Sequence, residues 1–409
     1  MSDAVRVVVT GMGGVTALGD TWNEVHARLC ARKNAVQRMP EWDRYEMLHT
    51  RLAAPVTHFE AQAHYQRKAT RSMGRVALLA LRASELALGQ AGLLEDPSIR
   101  DGRMGIAYGS ATGSFEPVRV FGQMMTTGSM QGLTSTSYIQ MMSHTAAVNV
   151  GLYFGLKGRV VPTSSACTSG SQGIGYAFEA IRSGKLPLML AGGADELSAP
   201  AAAVFDTLFA TSTRNDAPAT TPRPFDKARD GLVVGEGAAT LVLEEFGHAR
   251  ARGAKPLAEV VGFATNSDGA HVTQPSEVEQ AHAISLALAD AGLPPSAIGY
   301  VSAHGTATDL GDISEARAMR KVLGHAPVSS LKSYIGHTLG ACGAIEAWWT
   351  IEMMRAGWFA PTLNLETPDA ECADLDHITG EGRNLDIEYV MKNNFAFGGI
   401  NTSLIFRRL

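Results

Sequence analysis

Short apolar runs alternate along the chain with longer segments in which apolar residues recur every three to four positions. Runs of strand length lie at 5–11, 104–110, 186–194 and 238–245, and segments of helical period lie at 69–92, 168–183 and 276–291. Strands buried on both faces give short apolar runs of this kind. The pattern therefore predicts a layered α/β protein whose sheets are covered by helices. The last helix has a start signal, because Ser276 can act as its N-cap and Glu279 can complete a capping box.

The order of motifs in the first part of the chain recurs in the second. The first part reads ELALGQAGL, MGIAYGSATGS and SSACTSGSQGIGYAFEAIRSGK, and the second reads SLALADAGL, IGYVSAHGTATDL and SYIGHTLGACGAIEAWWTIEMMRAGW. We interpret this as a single internal duplication, with halves at 1–250 and 251–409. Halves related in this way usually pack about a pseudo-twofold axis. Such packing would bring Cys167, His304 and His337 to one place.

Composition limits the classes of function. The 409 residues are 45% hydrophobic and 18% charged, with a formal net charge of −5. An acidic chain without a basic block does not suit nucleic acid or an anionic membrane as its main partner. The four cysteines at 30, 167, 342 and 372 are far apart, so neither a disulfide framework nor a zinc site is expected. No signal-peptide pattern and no apolar run of about 18 residues is present, and we expect a cytoplasmic protein.

Cys167 stands in the segment SSACTSGSQG, between an apolar run and a helical segment. A lone cysteine among small residues is often an inert part of the core. At a helix N-terminus, however, the helix dipole and free N–H groups lower the pKa of a thiol and can stabilise an oxyanion. Spacing alone leaves both roles open.

Two histidines also stand among small residues, His304 in SAHGTATD and His337 in KSYIGHTLGACGA. With Cys167 they form a predicted Cys/His/His cluster. Lys332 and Glu346 flank the second histidine, and they form either an ion pair beneath it or a solvated pair on the surface.

Two glycine-rich segments, 225–239 and 393–401, are typical of loops beside a cleft. A group of methionines is expected to pack in the core or at an interface, with an acyl tunnel as the alternative. These methionines are at positions 124, 125, 130, 141 and 142.

Four motifs together, SSACTSG, AHGTATDLGD, LKSYIGHTLGACGA and FAFGGIN, resemble in their order those of the condensing enzymes of the thiolase fold. The likeness is greatest to the type II β-ketoacyl-[acyl-carrier-protein] synthases and covers essentially the whole chain. It implies an α/β, thiolase-like fold of two duplicated halves in a five-layer αβαβα architecture. It also implies a dimer, formed with a second copy or with a ketosynthase paralogue, that acts on acyl carrier protein.

The resemblance assigns the chemistry as follows. Cys167 accepts an acyl chain from the phosphopantetheine of an acyl carrier protein, malonyl-carrier protein loses CO2, and the enolate attacks the thioester. His304 and His337 donate hydrogen bonds to the enolate oxygen. The backbone N–H groups of Cys167 and Phe397 form a second oxyanion hole, and the Phe397 ring acts as a gate. Neither a metal nor a cofactor held by the chain itself is implied, because the partner carries the pantetheine.

The remaining site residues implied by the resemblance are an ion pair and a substrate-contacting set. Lys332 and Glu346 match the buried pair of the family. The substrate-contacting set is Thr306, Thr308, Leu232, Thr112, Phe395 and Gly398.

Three positions depart from the family pattern. Leu232 replaces the phenylalanine of RDGFV, Ala396 replaces the glycine of FGFGGTN, and Thr112 stands where a larger aliphatic residue is common. These departures favour an unusual acyl substrate, of an aryl-polyene or other polyketide-like pathway, over housekeeping fatty-acid synthesis.

Two other classes resemble the chain less well. A non-catalytic chain-length factor, which pairs with an active ketosynthase, typically lacks the cysteine that this chain keeps. A thiolase acting on coenzyme A is disfavoured because neither Cys342 nor Cys372 stands in a second-cysteine motif.

Overall fold

The computed structural model describes residues 5–409. Its strands are β1 (Val7–Thr16), β2 (Gln37–Arg38), β3 (Leu52–Ala54), β4 (Met104–Gly109), β5 (Val160–Thr163), β6 (Leu188–Asp195), β7 (Val234–Gly235), β8 (Gly237–Glu245), β9 (Ala258–Ser267), β10 (Ile298–Ser302), β11 (Pro327–Ser329), β12 (Trp358–Phe359), β13 (Asp376–His377), β14 (Arg383–Asn384), β15 (Tyr389–Ala396) and β16 (Ile400–Arg407). Its α-helices are α1 (Trp22–Cys30), α2 (Ala61–His64), α3 (Arg67–Thr70), α4 (Arg75–Gln90), α5 (Phe115–Thr127), α6 (Ser137–Met141), α7 (Thr145–Phe154), α8 (Ser169–Arg182), α9 (Ala199–Asp206), α10 (Phe246–Ala251), α11 (Glu277–Ala291), α12 (Asp309–Leu323), α13 (Lys332–Ile335) and α14 (Cys342–Ala356).

The strand order repeats. The main hydrogen-bonded array of the described residues runs β13-β11-β10-β15-β16-β9-β1-β8-β6-β4-β5. From one edge inward, β4 pairs in parallel with β5 and β6, and β8 pairs antiparallel with β6 and β1. In the second set, β10 pairs in parallel with β11 and β15, and β16 pairs antiparallel with β15 and β9. The equivalent strands β1 and β9 meet antiparallel, as a twofold relation between the two sets requires.

Helices separate and cover these two sets of strands. α8 and α14 pack against each other at the centre, where α8 contacts β4 and β6 and α14 contacts β8 and β15. On the outside, α4 and α7 cover the first set, and α11 and α12 cover the second. The predicted five-layer αβαβα, thiolase-like architecture is confirmed.

The central helices lie close together because their contact is lined by small residues. A Cβ atom added at Gly170 in α8 would lie 2.9 Å from the backbone oxygen of Gly340 and 2.9 Å from the backbone nitrogen of Ala344. The largest buried apolar cluster lies around α14 and includes Trp348 and Trp349. The core therefore fixes the ends of α8 and α14, where the site lies.

Two predicted helices differ from the sequence pattern in detail. The segment 69–92 is interrupted, and α4 begins only at Arg75, because Gly74 adopts an extended backbone with φ −86° and ψ −177°. Ser276 does cap α11, with Oγ accepting from the N–H of Glu279. The Glu279 carboxylate, however, accepts from Asn266 at 3.3 Å, so only half of the predicted capping box is present.

Two of the methionines, Met125 at the end of α5 and Met130 after it, do not form core. Met125 is 84% exposed and Met130 is 65% exposed. The core alternative is therefore wrong for these two side chains, and the interface alternative stays a prediction.

The structure places the predicted boundary at 250/251 at the end of α10, before β9. This division of the chain into two domains stays a prediction. Across residues 5–409, we find no helix with the length and apolar character needed to cross a membrane.

Candidate active site

Cys167 is held in a strained turn between β5 and α8. The residue before it, Ala166, has φ +51°, a left-handed conformation that costs a non-glycine residue about 1–2 kcal/mol. The turn is fixed by local hydrogen bonds: Ser169 Oγ donates to the Ala166 carbonyl at 2.7 Å and accepts from the Ser165 N–H at 3.0 Å. The thiol thus lies at the start of a helix, in the wall of a cavity of 440 Å³.

His337 reaches the thiol from the loop between α13 and α14. The backbone N–H of His337 donates to the Val233 carbonyl at 2.7 Å, and the ring Nε2 lies 2.9 Å from Cys167 Sγ. The backbone N–H of Leu339 donates to His337 Nδ1 at 3.2 Å. Because Nδ1 accepts, the ring proton of the neutral imidazole is on Nε2 and points at the thiol.

His304 follows β10 and is fixed by a buried carboxylate. Glu315 accepts the N–H of His304 at 2.7 Å and the N–H of Gly305 at 2.6 Å. Asn394 Nδ2 donates to His304 Nδ1 at 3.2 Å, which again leaves the ring proton on Nε2. The rings of His304 and His337 lie 5.1 Å apart between centroids and nearly perpendicular.

Burial sets the protonation of the three groups. Desolvation, followed by the charge of Lys332, lowers the pKa of both His304 and His337 well below its ordinary value, so both rings are neutral. Burial raises the pKa of the Cys167 thiol to about 11, although Lys332 and the N–H groups of Phe397 and Cys167 oppose the rise. The N–H groups at the helix start lower this pKa, as the sequence predicts, but desolvation outweighs them. The resting group is a thiol that faces two neutral N–H donors.

The cluster has the composition of a metal site but the wrong hydrogen bonding. One ligand atom each from Cys167, His304 and His337 lies within 4.8 Å of the others. A metal-bound histidine donates from its other nitrogen to an acceptor. Here both Nδ1 atoms accept from N–H donors, so both Nε2 atoms carry protons and are arranged to donate rather than to ligate.

A buried charge cluster lies beneath the histidines. Lys332 Nζ lies 2.6 Å from Glu346 Oε1, and both side chains are buried, so the surface alternative for this pair is wrong. Glu346 Oε2 lies 2.7 Å from the Nζ of a second lysine, Lys392.

The cavity brings most of the substrate-contacting set together. Leu232, Thr306, Thr308 and Phe395 all line it with Cys167 and the two histidines. Thr306 Oγ1 and Thr308 Oγ1 lie 2.8 Å apart.

Phe397 lines the cavity as well. Its ring lies 5.3 Å from the ring of Phe205, and its backbone N–H faces the Cys167 thiol. Position and N–H direction both suit the gate and oxyanion role that the family resemblance gives it.

Two predicted residues lie apart from the cavity. Thr112 is exposed in the loop after β4, and its Oγ1 donates to the Gly113 carbonyl at 3.4 Å. Gly398 is exposed in the turn between β15 and β16, and its N–H donates to the Val272 carbonyl at 2.7 Å.

The segment 393–401 is mostly strand rather than loop, with only residues 397–399 between β15 and β16.

Sequence reasoning missed four polar residues of the site. Lys392 and Asn394 lie on β15, Glu315 lies on α12, and Asp195 ends β6. Asp195 accepts N–H groups from Ala111 at 3.0 Å and Gly340 at 2.6 Å, and so joins the two halves beside the cysteine. The available signal was a charged or amide side chain inside an apolar strand, as in YVMKNNFA and LMLAGGAD.

Cys342 contacts Cys167 from the protein interior and does not line the cavity. Its Sγ donates to the Cys167 carbonyl at 3.3 Å and accepts from Asn394 at 3.3 Å. Burial raises the pKa of this thiol. It supports the turn and does not offer a second reactive thiol to the substrate.

Comparison with known proteins agrees with this geometry. Residues 4–249 match the family described as Beta-ketoacyl synthase, N-terminal domain, and residues 257–366 match Beta-ketoacyl synthase, C-terminal domain. A curated relative from Vibrio cholerae, 3-oxoacyl-[acyl-carrier-protein] synthase 2, is 38% identical, and the alignment covers 99% of each chain.

Two solved structures are similar over the whole chain. A β-ketoacyl synthase from Burkholderia phymatum has a TM-score of 0.98 at 66% identity, with 99% of this chain and 100% of that chain covered. A type II polyketide ketosynthase, solved with its acyl-carrier protein and bound to the hexaketide, has a TM-score of 0.88 at 32% identity, with 100% of each chain covered. With the two family matches spanning most of its length, the chain belongs to the β-ketoacyl synthase family.

Proposed function

We propose that the protein is a 3-oxoacyl-[acyl-carrier-protein] synthase, which joins a Cys167-bound acyl group to malonyl-[acyl-carrier-protein] with loss of CO2. The observation that carries this proposal is the pair of neutral histidines whose Nε2–H groups converge beside one thiol. A hydrolytic triad needs one histidine as base and an acid to orient it. Two donors and no base are instead suited to holding an oxyanion.

The first step is acyl transfer. Cys167 Sγ attacks the carbonyl of an acyl-pantetheine thioester, whose oxygen is held by the N–H groups of Cys167 and Phe397. The bond from carbon to the pantetheine sulfur breaks, and the cysteine proton goes to the leaving sulfur. This exchange matches a site in which the thiol begins protonated.

The second step is decarboxylation and condensation. The carboxylate carbon of the malonyl group leaves as CO2, and its bonding electrons form an enolate whose oxygen accepts from His304 and His337. The enolate carbon then attacks the Cys167 thioester, a carbon–carbon bond forms, and the cysteine leaves as a thiolate beside His337 Nε2. The thiolate takes a proton from solvent, and the 3-oxoacyl product stays on the carrier protein.

The partner we propose is an acyl carrier protein. The cavity from Cys167 is also lined by Thr306, Thr308 and the exposed Leu208 and Phe209, a path suited to a pantetheine arm. The polyketide ketosynthase described above was solved with its own carrier protein. A non-catalytic chain-length factor is less well supported, because the thiol and both histidines are intact and in contact.

We propose a homodimer, or a heterodimer with a ketosynthase paralogue, in the cytoplasm. All four cysteines are free, as a reducing compartment requires.

The pathway we propose is fatty-acid or polyketide-type synthesis. Leu232 and Ala396, both in the cavity wall, favour an acyl chain other than the common one. A panel of saturated, polyene and aryl acyl-carrier proteins would identify this chain.

The two steps can be tested separately. Incubation with an acyl-carrier protein should add one acyl mass to Cys167, and Cys167→Ser should abolish it while Cys30→Ser, at an exposed thiol, keeps it. His304→Ala should leave this acylation largely intact but remove CO2 release from malonyl-carrier protein, because its ring is assigned to the enolate alone. An acyl mass on another cysteine, or equal loss of both steps in His304→Ala, would contradict the proposal.

A further inference from the structure

Lys392 lies within β15 with its side chain fully buried. Its Nζ lies 2.7 Å from Glu346 Oε2 and 3.5 Å from the Ser302 carbonyl oxygen, and it also donates to the Asn393 carbonyl. A lysine ammonium has three donors and no acceptor. Two carbonyl oxygens accept from this nitrogen and the Glu346 carboxylate lies beside it, an arrangement that suits the charged form; burial lowers the pKa of Lys392 and the Glu346 charge opposes this.

The carboxylate that it contacts is already paired. Glu346 Oε1 lies 2.6 Å from Lys332 Nζ, so one buried carboxylate faces two buried ammonium groups. Burying a charged side chain is strongly unfavourable, since its desolvation cost is offset only by well-placed partners. The Lys332–Glu346 pair is complete without Lys392, so a second cation here needs another reason.

The surplus charge lies near the reacting groups. Lys392 pairs across the sheet with Ser302, two residues before His304, and Asn394, two residues after Lys392, donates to the His304 ring. The charges of Lys392 and Lys332 both act on His304, on His337 and on Glu315, the carboxylate that fixes the His304 backbone. The titratable groups around Lys392, taken from β10, β15 and the helices α12, α13 and α14 with their adjoining loops, are Glu346, Lys332, Cys342, Glu315, His304 and His337.

We propose that Lys392 is a positioning residue for decarboxylation, a second buried cation that acts through His304 and His337. Its charge adds to the effect of burial in keeping both rings neutral, and it adds positive potential where the enolate oxygen becomes negative. This inference rests on the proposed condensing function. It adds a residue of β15 that does not line the cavity and touches no substrate.

Electrostatics fixes the sign of the effect. A cation near a histidine disfavours the imidazolium and lowers its pKa. Burial is the larger cause of the low pKa of both rings, and Lys332 and Lys392 add to it. Loss of the Lys392 charge should therefore raise both pKa values and move the acid limb of decarboxylation to higher pH.

The test compares Lys392→Met, which keeps the length and loses the charge, with Lys392→Arg, which keeps the charge and adds bulk. If charge matters, Lys392→Met should lower kcat for CO2 release from malonyl-carrier protein about tenfold with KM within twofold, and Lys392→Arg should retain more activity. If Lys392 only fills space, the order reverses, because methionine fits the site better than arginine. A Lys392→Met rate equal to or above that of Lys392→Arg would overturn the proposal.

A second measurement does not need turnover. Nitrogen NMR of ring-labelled histidine, assigned with His304→Asn and His337→Asn, reports ring protonation directly. At pH 5, Lys392→Met should show more doubly protonated His304 and His337 than the unsubstituted protein, and unchanged populations would overturn the proposal even if Lys392→Arg fails to fold. Absence of CO2 release by the unsubstituted protein would instead remove the condensing function and leave this readout intact.

Discussion

Asn394 determines which nitrogen of His304 carries the proton. Its Nδ2 donates to His304 Nδ1 at 3.2 Å, while its Oδ1 accepts from Ser171 Oγ at 2.6 Å. The hydroxyl of Ser171 thereby fixes the orientation of the Asn394 amide, and the amide fixes the tautomer of the His304 ring. His337 reaches the same tautomer by a backbone N–H instead, so the pair depends on one side chain and one peptide group.

We expect Asn394→Asp to separate the two half-reactions. A carboxylate can only accept, so it would draw the His304 proton to Nδ1 and leave Nε2 without a donor. CO2 release from malonyl-carrier protein should fall about 100-fold or more, as for loss of an oxyanion donor, while acylation of Cys167 changes little.

The control for this change is Asn394→Ser, whose hydroxyl can still donate. It should lose less decarboxylation than Asn394→Asp, measured by CO2 release beside the mass of the acylated protein. If the two variants decarboxylate equally, the amide does not control the tautomer.

At the scale of elements, the two central helices begin in the same way. Ala166 and Leu339 both have φ +51°, and each opens a short turn that leads into α8 or α14. Cys167 and Gly340 are the second residues of these turns. At this position the first half of the chain has the thiol of Cys167. The second half has Gly340, which has no side chain and whose backbone N–H donates to the Asp195 carboxylate at 2.6 Å.

The contact between α8 and α14 should not tolerate a larger residue at Gly170. The added Cβ of Gly170→Ala would lie 2.9 Å from two backbone atoms of the facing segment, which cannot rotate away. We expect a loss of about 1–3 kcal/mol in the free energy of unfolding, and lower activity because the helix start carries Cys167. Denaturant unfolding and CO2 release measure the two effects.

Gly122 in α5 provides the matched control, since nothing lies within 4 Å of its added Cβ. Gly122→Ala should be neutral or gain up to about 1 kcal/mol, because alanine favours a helix over glycine. Equal stability of Gly170→Ala and the unsubstituted protein would show that the helices can separate at little cost.

The sequence predicted the elements better than the polar contacts between them. Periodicity was enough for sheets covered by helices, and the repeated motifs were enough for the meeting of Cys167, His304 and His337. The five-layer arrangement came from the family resemblance. The partners of Lys392 and Asn394 could not be predicted, because they come from segments far apart in the sequence and only the end of β15 falls in the loop predicted at 393–401. The sequence does not show the direction of Thr112, since this direction depends on the path of the loop after β4.

At the scale of the whole molecule, the sheet ends at an uncovered strand. β5 pairs with β4 on one side only and is the last strand of the array. Its first residue, Val160, is 46% exposed. An exposed edge strand with apolar side chains is a template for pairing with another chain. We therefore expect a second copy, or a paralogue, to join at β5.

A charge at this edge should weaken the dimer. Val160→Lys places an ammonium where a neighbouring strand would lie, and edge lysines oppose strand pairing. Light scattering after size-exclusion chromatography should show a dimer for the unsubstituted protein and a shift toward monomer for the variant. Val278→Lys is the control, since Val278 is 60% exposed on the outer helix α11, away from β5, and should stay dimeric. If Val160→Lys is as dimeric as this control, the interface does not lie at β5. The exposed surface around Met125 and Met130 is then the next place to test.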